Sequence, residues 1–336
     1  MRVARKRIFE RIHGFYDVKV IAAAIRTGLT DLLLAGTGDV ATLAAKSSLQ
    51  ERGVEALLIG LQALGLVTHH RDGYAVTDVG SALFDTSSEM YIGDLVQFVE
   101  WQSDALPRLL DTLKTDRPCW EGFGHYIEGA KEATSTDVNQ ERFNRALDAG
   151  ARSTAQAVLR LRDFSHVKSL LDVGGNLGGF ASVFLQAFPD LKATVFDLPQ
   201  VASQLGAIHA NEPYAKRLAA VGGDFTRDKL PRGHDLITYI RIFNSRTDEL
   251  CVSLLKNAYE ALRPGGECLF YDEHVLADDY ANVDTAMLWG AMFMLISSPG
   301  RIRTVSQWKT LFERAGFTQV EAAVQKHYGA VWGKKP

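Results

Sequence analysis

The chain has 336 residues, 46% of them hydrophobic and 23% charged, with a formal net charge of −3. That length suits two domains, and the near-neutral balance gives no electrostatic reason to expect a nucleic-acid partner. No apolar run approaches the roughly 18 residues of a membrane span, and Cys119, Cys251 and Cys268 lack the spacing of a zinc knuckle or a disulfide framework.

The N-terminus is basic but leads into Ile8-Phe9-Glu10-Arg11-Ile12-His13, not an apolar signal core, so a cytoplasmic protein is expected. Residues 8–35 follow helical spacing through Phe15, Val18, Ile21, Ala24 and Ile25, punctuated at Gly28 to Asp31. Asp39 reads as the N-cap of a short helix, and Val54 to Leu64 as a third helix ending at Gly65. Two short strands around Asp72-Gly73 read as a hairpin. Three helices and a hairpin make a winged helix. Its third helix is apolar rather than basic, which fits core or interface better than a DNA-binding regulator. The expected domains are 1–100, a winged-helix domain; 101–163, a helical connector; and 164–336, an α/β domain. The aromatics Trp101, Trp120, Phe123 and Tyr126 read either as packing or as the lining of a substrate pocket.

From Lys168 onward strands and helices alternate. Strands are expected at Ser169–Val173, Ala193–Asp197, Leu218–Gly222, Leu236–Arg241, Cys268–Glu273 and near Gln325–Trp332. Such alternation predicts a doubly wound, mostly parallel sheet that binds ligands at its C-terminal strand edge. The run Leu170-Leu171-Asp172-Val173-Gly174-Gly175-Asn176-Leu177-Gly178-Gly179 reads as strand, tight turn and helix start, and Asp197 falls at the next strand tip. That spacing suits a ribose, whose hydroxyls a tip carboxylate can accept. A dinucleotide wants a glycine where Asn176 stands, so that its phosphates can approach. S-adenosylmethionine (SAM) carries no phosphate, and Asp172 could reach its amino group. The residues therefore favour SAM over a dinucleotide, with no metal site.

Asp-Val-Gly-Gly, Phe-Asp-Leu-Pro, Gly223-Asp224-Phe225, Arg263-Pro-Gly-Gly and Gly300-Arg301-Ile302-Arg303-Thr304 follow in order. With the winged N-terminal domain, this set resembles the plant-type small-molecule O-methyltransferases and their bacterial natural-product branch, including phenazine, bacteriochlorophyll and carotenoid methyltransferases. The resemblance implies a SAM-dependent methyltransferase that releases S-adenosylhomocysteine, and a homodimer joined through its N-terminal domains. It also implies that Asp172, Gly174 and Gly175 cradle the methionine side, and that Asp197 and Leu198 hold the ribose and adenosine. Gly223, Asp224 and Phe225 would flank adenine, with Arg241 at the end of the fourth strand. Asp224 reads alternatively as a helix cap.

The family's His-Asp-Trp is replaced here by Asn244-Ser245-Arg246, so the position of the usual general base holds a carboxamide. A carboxamide donates and accepts hydrogen bonds but cannot take up a proton. Three explanations stand open: an acidic or already ionised acceptor, a different base among Asp272, Glu273, His274 or His125, or a SAM-fold protein that does not methylate. The expected catalytic set is Asn244, Asp272 and His274. The apolar stretch Ala286 to Pro299 should cover the acceptor, with Trp289, Met292 and Phe293 facing it alongside Trp101, Phe123 and Tyr126. Such a pocket suits a small, largely apolar, aromatic secondary metabolite. Fold alone leaves O-, N-, C- and S-methylation open.

Overall fold

The computed structural model describes residues 2–88, 90–120 and 150–336. Phe123, His125 and Tyr126 lie outside the described residues. The chain divides into two compact units, Met1–Asp104 and Ala105–Pro336.

In the first unit the stretch expected as one helix is two, α1 (Arg2–Arg26) and α2 (Leu29–Ala35). Gly28 separates them at φ 72°, a left-handed conformation that glycine adopts without strain. The short helix α3 (Val40–Ser47) is capped as its sequence predicts, with Thr42 N–H donating to Asp39 Oδ1 at 2.7 Å. Helix α4 (Glu51–Ala63) buries Val54, Leu58 and Leu61, one face at i, i+4, i+7. Strands β1 (Val67–His70) and β2 (Gly73–Val76) pair antiparallel as the wing. Two further helices, α5 (Asp78–Phe84) and α6 (Gly93–Gln102), complete the unit. Lys19 and Arg26 of α1 both reach Glu100 of α6, at 3.0 and 3.3 Å.

The second unit opens with helix α7 (Leu109–Thr115) and holds a seven-stranded sheet. Its strands are β3 (Ser169–Val173), β4 (Lys192–Asp197), β5 (Leu218–Gly222), β6 (His234–Ile240), β7 (Leu262–Asp272), β10 (Thr318–Gln325) and β11 (Tyr328–Lys334), in the order β10-β11-β7-β6-β3-β4-β5. The five strands from β3 to β7 are parallel, and the β10–β11 hairpin adds antiparallel to β7. A small parallel pair, β8 (Val275–Leu276) and β9 (Arg303–Thr304), sits apart from it. The single strand expected near 325–332 is therefore a hairpin turning at Lys326, φ 57°. Its first arm has Gln319, Glu321 and Gln325 among its residues, and this polar content hides it from a search for apolar runs.

Successive residues of β3 feed opposite faces, as the pleat requires. Leu171 and Val173 join Ile237, Phe270, Trp308 and Phe312 in one core. Leu170 joins Val195, Leu269, Phe180 and Phe184 in the other. Helices α9 (Asp248–Ala261) and α11 (Val305–Arg314) cover the first face; α8 (Gly179–Ala187) and helical residues 150–159 cover the second. The chain runs outward from β3 to β4 and β5, then returns to β6 on the other side. The resulting switch point between β3 and β6 leaves a crevice at the C-terminal strand ends.

Candidate active site

The crevice begins at the glycine loop. Gly174, Asn176 and Gly178 all take left-handed φ, 69°, 49° and 83°, which turns the chain sharply from β3 into α8. A Cβ at Gly174 would lie 2.6 Å from Ile242 Cδ1 and 3.5 Å from Phe225 Cε1, so the loop, the segment after β6 and Phe225 converge there. Asp197, at the tip of β4, accepts from Asn176 N–H at 2.8 Å and from Leu198 N–H at 2.7 Å. Burial raises its pKa against these two bonds.

Asp172 is fully buried. Its Oδ1 accepts from Thr238 Oγ1 at 2.7 Å, while Oδ2 has no protein partner. Burial pushes its pKa up to about 7, with the nearby Asp197 charge adding to the effect. A Cβ at Gly175 would stand 2.5 Å from that Oδ2. A buried carboxylate oxygen beside a glycine fits a ligand bearing a cationic amine, as SAM does. Asp172, the glycine loop, Asp197 and Leu198 would hold it.

Other expected residues divide. Gly223 is buried on Phe196, and Phe225 reaches the glycine loop. Asp224 spends Oδ1 on Thr226 N–H and hydroxyl, 2.9 and 2.6 Å, and its Oδ2 is 3.6 Å from Arg227, so its carboxylate caps a turn here. Arg241, at φ 58°, pairs with Glu273 at 3.3 Å.

The acceptor half is built where β6 and β7 end. Asn244 is buried, and its Nδ2 donates to His274 O at 2.9 Å. A carbonyl can only accept, which assigns the amide orientation. Asn244 Oδ1 has no protein partner. His274 is buried, with Nδ1 3.7 Å from Asp272 Oδ1. Burial opposes its charged form, but Asp272, Glu273 and the Ala286 carbonyl outweigh burial and raise its pKa. The carboxylates beside the imidazole thus favour its protonated form over what burial alone would allow.

Helix α10 (Thr285–Ser297), capped by Asp284, packs over this pair. Trp289 and Phe293 stack at 5.3 Å, Trp289 lies 5.8 Å from His274, and Trp120 meets Phe293 edge-on at 6.1 Å. Met292, between Trp289 and Phe293 in sequence, is half-buried. Trp101 belongs to the first unit, beside Phe98. Sequence reasoning missed Gly290, where a Cβ would fall 2.2 Å from His274 Cδ2. The available signal was a glycine within a long apolar helix, which costs about 1 kcal/mol against alanine unless close packing requires it. It also missed Thr238, the only hydroxyl bonded to Asp172 among the described residues.

Fold and loop together define a SAM-dependent methyltransferase. Comparison with known proteins agrees and goes further. Residues 108–318 match the family profile described as the O-methyltransferase domain, and residues 9–86 match the O-methyltransferase dimerisation domain. The chain belongs to this O-methyltransferase family. It is 27% identical over 326 residues to the demethylspheroidene O-methyltransferase of Rhodobacter capsulatus, covering 95% of this chain and 79% of that one. It is 28% identical to the 3-hydroxy-5-methyl-1-naphthoate 3-O-methyltransferase of Streptomyces sahachiroi, covering 91% and 88%. Its fold matches human N-acetylserotonin methyltransferase in complex with SAM at a TM-score of 0.83 and 25% identity, covering 99% and 97%. The enzyme uses SAM and acts on small molecules.

Proposed function

We propose that this enzyme methylates an acidic hydroxyl on a small, largely apolar aromatic metabolite, and that Asn244 orients that hydroxyl without deprotonating it. The unpartnered, buried Oδ1 of Asn244 carries the reading. Leaving such a group unpaired costs about 1–3 kcal/mol, which an acceptor hydroxyl would recover. The acidic acceptor gives its proton to solvent water before the site closes over it, and Nδ2, which has one further hydrogen beyond its bond to His274 O, can then donate to the resulting oxyanion. The named aromatic substrate of the Streptomyces relative and the stacked Trp289 and Phe293 support an aromatic acceptor.

SAM supplies an electrophilic methyl on a sulfonium. The chain's own residues do the rest. Asp172 and Asp197 fix the donor, while α10 and Trp120 provide apolar surface that excludes water. Asn244 aims the acceptor oxygen. Proximity and orientation then contribute most of the acceleration, and the acceptor's own acidity replaces a base. The Asp272–His274 pair sets the backbone carbonyl that orients Asn244. In assays of methyl transfer, Asn244→Ala should lower kcat by about tenfold, the worth of one neutral hydrogen bond. A loss near four decades, the upper range for a general base, would contradict the orienting role.

A further inference from the structure

His209 lies against the glycine loop and is not among the cofactor or acceptor residues described above. It is buried, and its Nε2 is 2.8 Å from Leu177 O. Its Nδ1 is 3.1 Å from the hydroxyl of Tyr214, which is also buried. Leu177 O can only accept, so Nε2 carries the proton. In the neutral ring Nδ1 is then an acceptor, and the Tyr214 hydroxyl donates to it. A Cβ at Gly178 would lie 3.1 Å from Nε2, so the ring sits close under the turn.

We propose that His209, with its tautomer set by the Leu177 carbonyl and its ring anchored by the Tyr214 hydroxyl, is a positioning residue for the cofactor loop. The loop's outermost residues are tethered on two sides. On the crevice side, Asp197 holds Asn176 N–H; on the rear, His209 holds Leu177 O. The two tethers differ in what happens when the cofactor binds. Asp197 is also the carboxylate expected to accept the ribose hydroxyls, so ribose and Asn176 N–H share its oxygens. The rear tether uses none of the groups expected to contact the cofactor. His209 therefore keeps Gly174, Asn176 and Gly178 in their left-handed conformations when the front tether is divided. The inference rests on the reading that Asp197 and the glycine loop hold SAM.

Calorimetric titration of the full chain with SAM and with S-adenosylhomocysteine tests it, together with steady-state rates. His209→Leu keeps bulk and removes the donor. It should weaken both ligands about tenfold and raise the KM for SAM alike, with kcat at saturating SAM within about twofold of wild type. His209→Gln, which restores an N–H at a similar reach, should recover most of the affinity. A purely structural histidine would lower Tm in His209→Leu and leave both affinities within about twofold, which overturns the proposal. So would a His209→Gln variant as weak as His209→Leu. If His209→Leu does not fold, Tyr214→Phe, which removes the hydroxyl that anchors the ring, decides: a SAM Kd raised about threefold or more supports the anchored tether, and an unchanged Kd overturns it. Asp197→Ala separates the two readings. If SAM affinity survives that change, the cofactor site itself is misplaced, whatever His209 does.

Discussion

Asp172 is lifted from an ordinary carboxylate to about 7 by complete burial. A group that binds its proton more tightly folded than unfolded stabilises the fold at low pH. That contribution is lost as pH rises from about 4 through about 7. Without cofactor, Asp172→Asn should therefore gain in Tm relative to wild type as pH goes from about 5 to 8, and should bind SAM more weakly at every pH. Scanning calorimetry at a series of pH values reads the first effect and titration the second. Asp197→Ala should weaken SAM by about 2–3 kcal/mol, the usual loss for a charge-assisted hydrogen-bond acceptor. Asn244→His tests the acceptor half in the opposite sense: a base restored there should raise turnover of weakly acidic phenols by about tenfold or more. The positions of Asp172 and Asp197 could be read from the strand ends in the sequence, and that of Asn244 from the resemblance to the family's His-Asp-Trp. Their partners could not. Thr238 meets Asp172 from a strand 66 residues away, and nothing local in either segment announces the pairing.

At the scale of elements, the crevice depends on close approaches that only glycine permits. A Cβ at Gly300 would fall 2.0 Å from Asn244 O and 2.4 Å from Ser245 C, both backbone atoms that cannot swing aside. Gly300 leads into Arg303, whose buried guanidinium donates to Arg246 O at 2.7 Å and to Asp248 at 2.6 Å. The segment before α11 thus brackets the turn that presents Asn244. Gly300→Ala should displace that turn, cutting turnover by about tenfold or more while leaving SAM affinity within about twofold; parallel titration and rate measurements check it. The Gly-Arg-Ile-Arg-Thr run stood out as a motif, but its task of holding the 244–246 turn comes only from long-range packing. The strands of the parallel sheet were readable as short apolar runs, whereas β10 was missed because an edge strand alternates with polar residues.

For the whole molecule, the first unit carries a dimerisation domain and an apolar surface to match. Ile8, Ile12 and Phe15 fall at i, i+4, i+7 on α1, with Phe9 and Tyr16 beside them, and all are more than half exposed. So large a run of exposed aromatic and branched residues marks an interface. We propose a homodimer through this face. Light scattering after gel filtration should give twice the 37.0 kDa chain mass, and Ile12→Glu with Phe15→Glu should give monomer. A monomeric wild type would remove the proposal. Among the described residues, no helix is long and apolar enough to cross a membrane.

In the mechanism we propose, methyl transfer draws on the acceptor's acidity rather than on a protein base. The most direct test is the pH dependence of kcat/KM for labelled methyl transfer from SAM to 4-nitrophenol and to less acidic substituted phenols. The rise in rate should follow each phenol's own ionisation, moving up the pH scale as the phenol becomes less acidic towards the ordinary value of about 10. An inflection that stays at one pH whichever phenol is used would belong to a residue of the enzyme, and would contradict it.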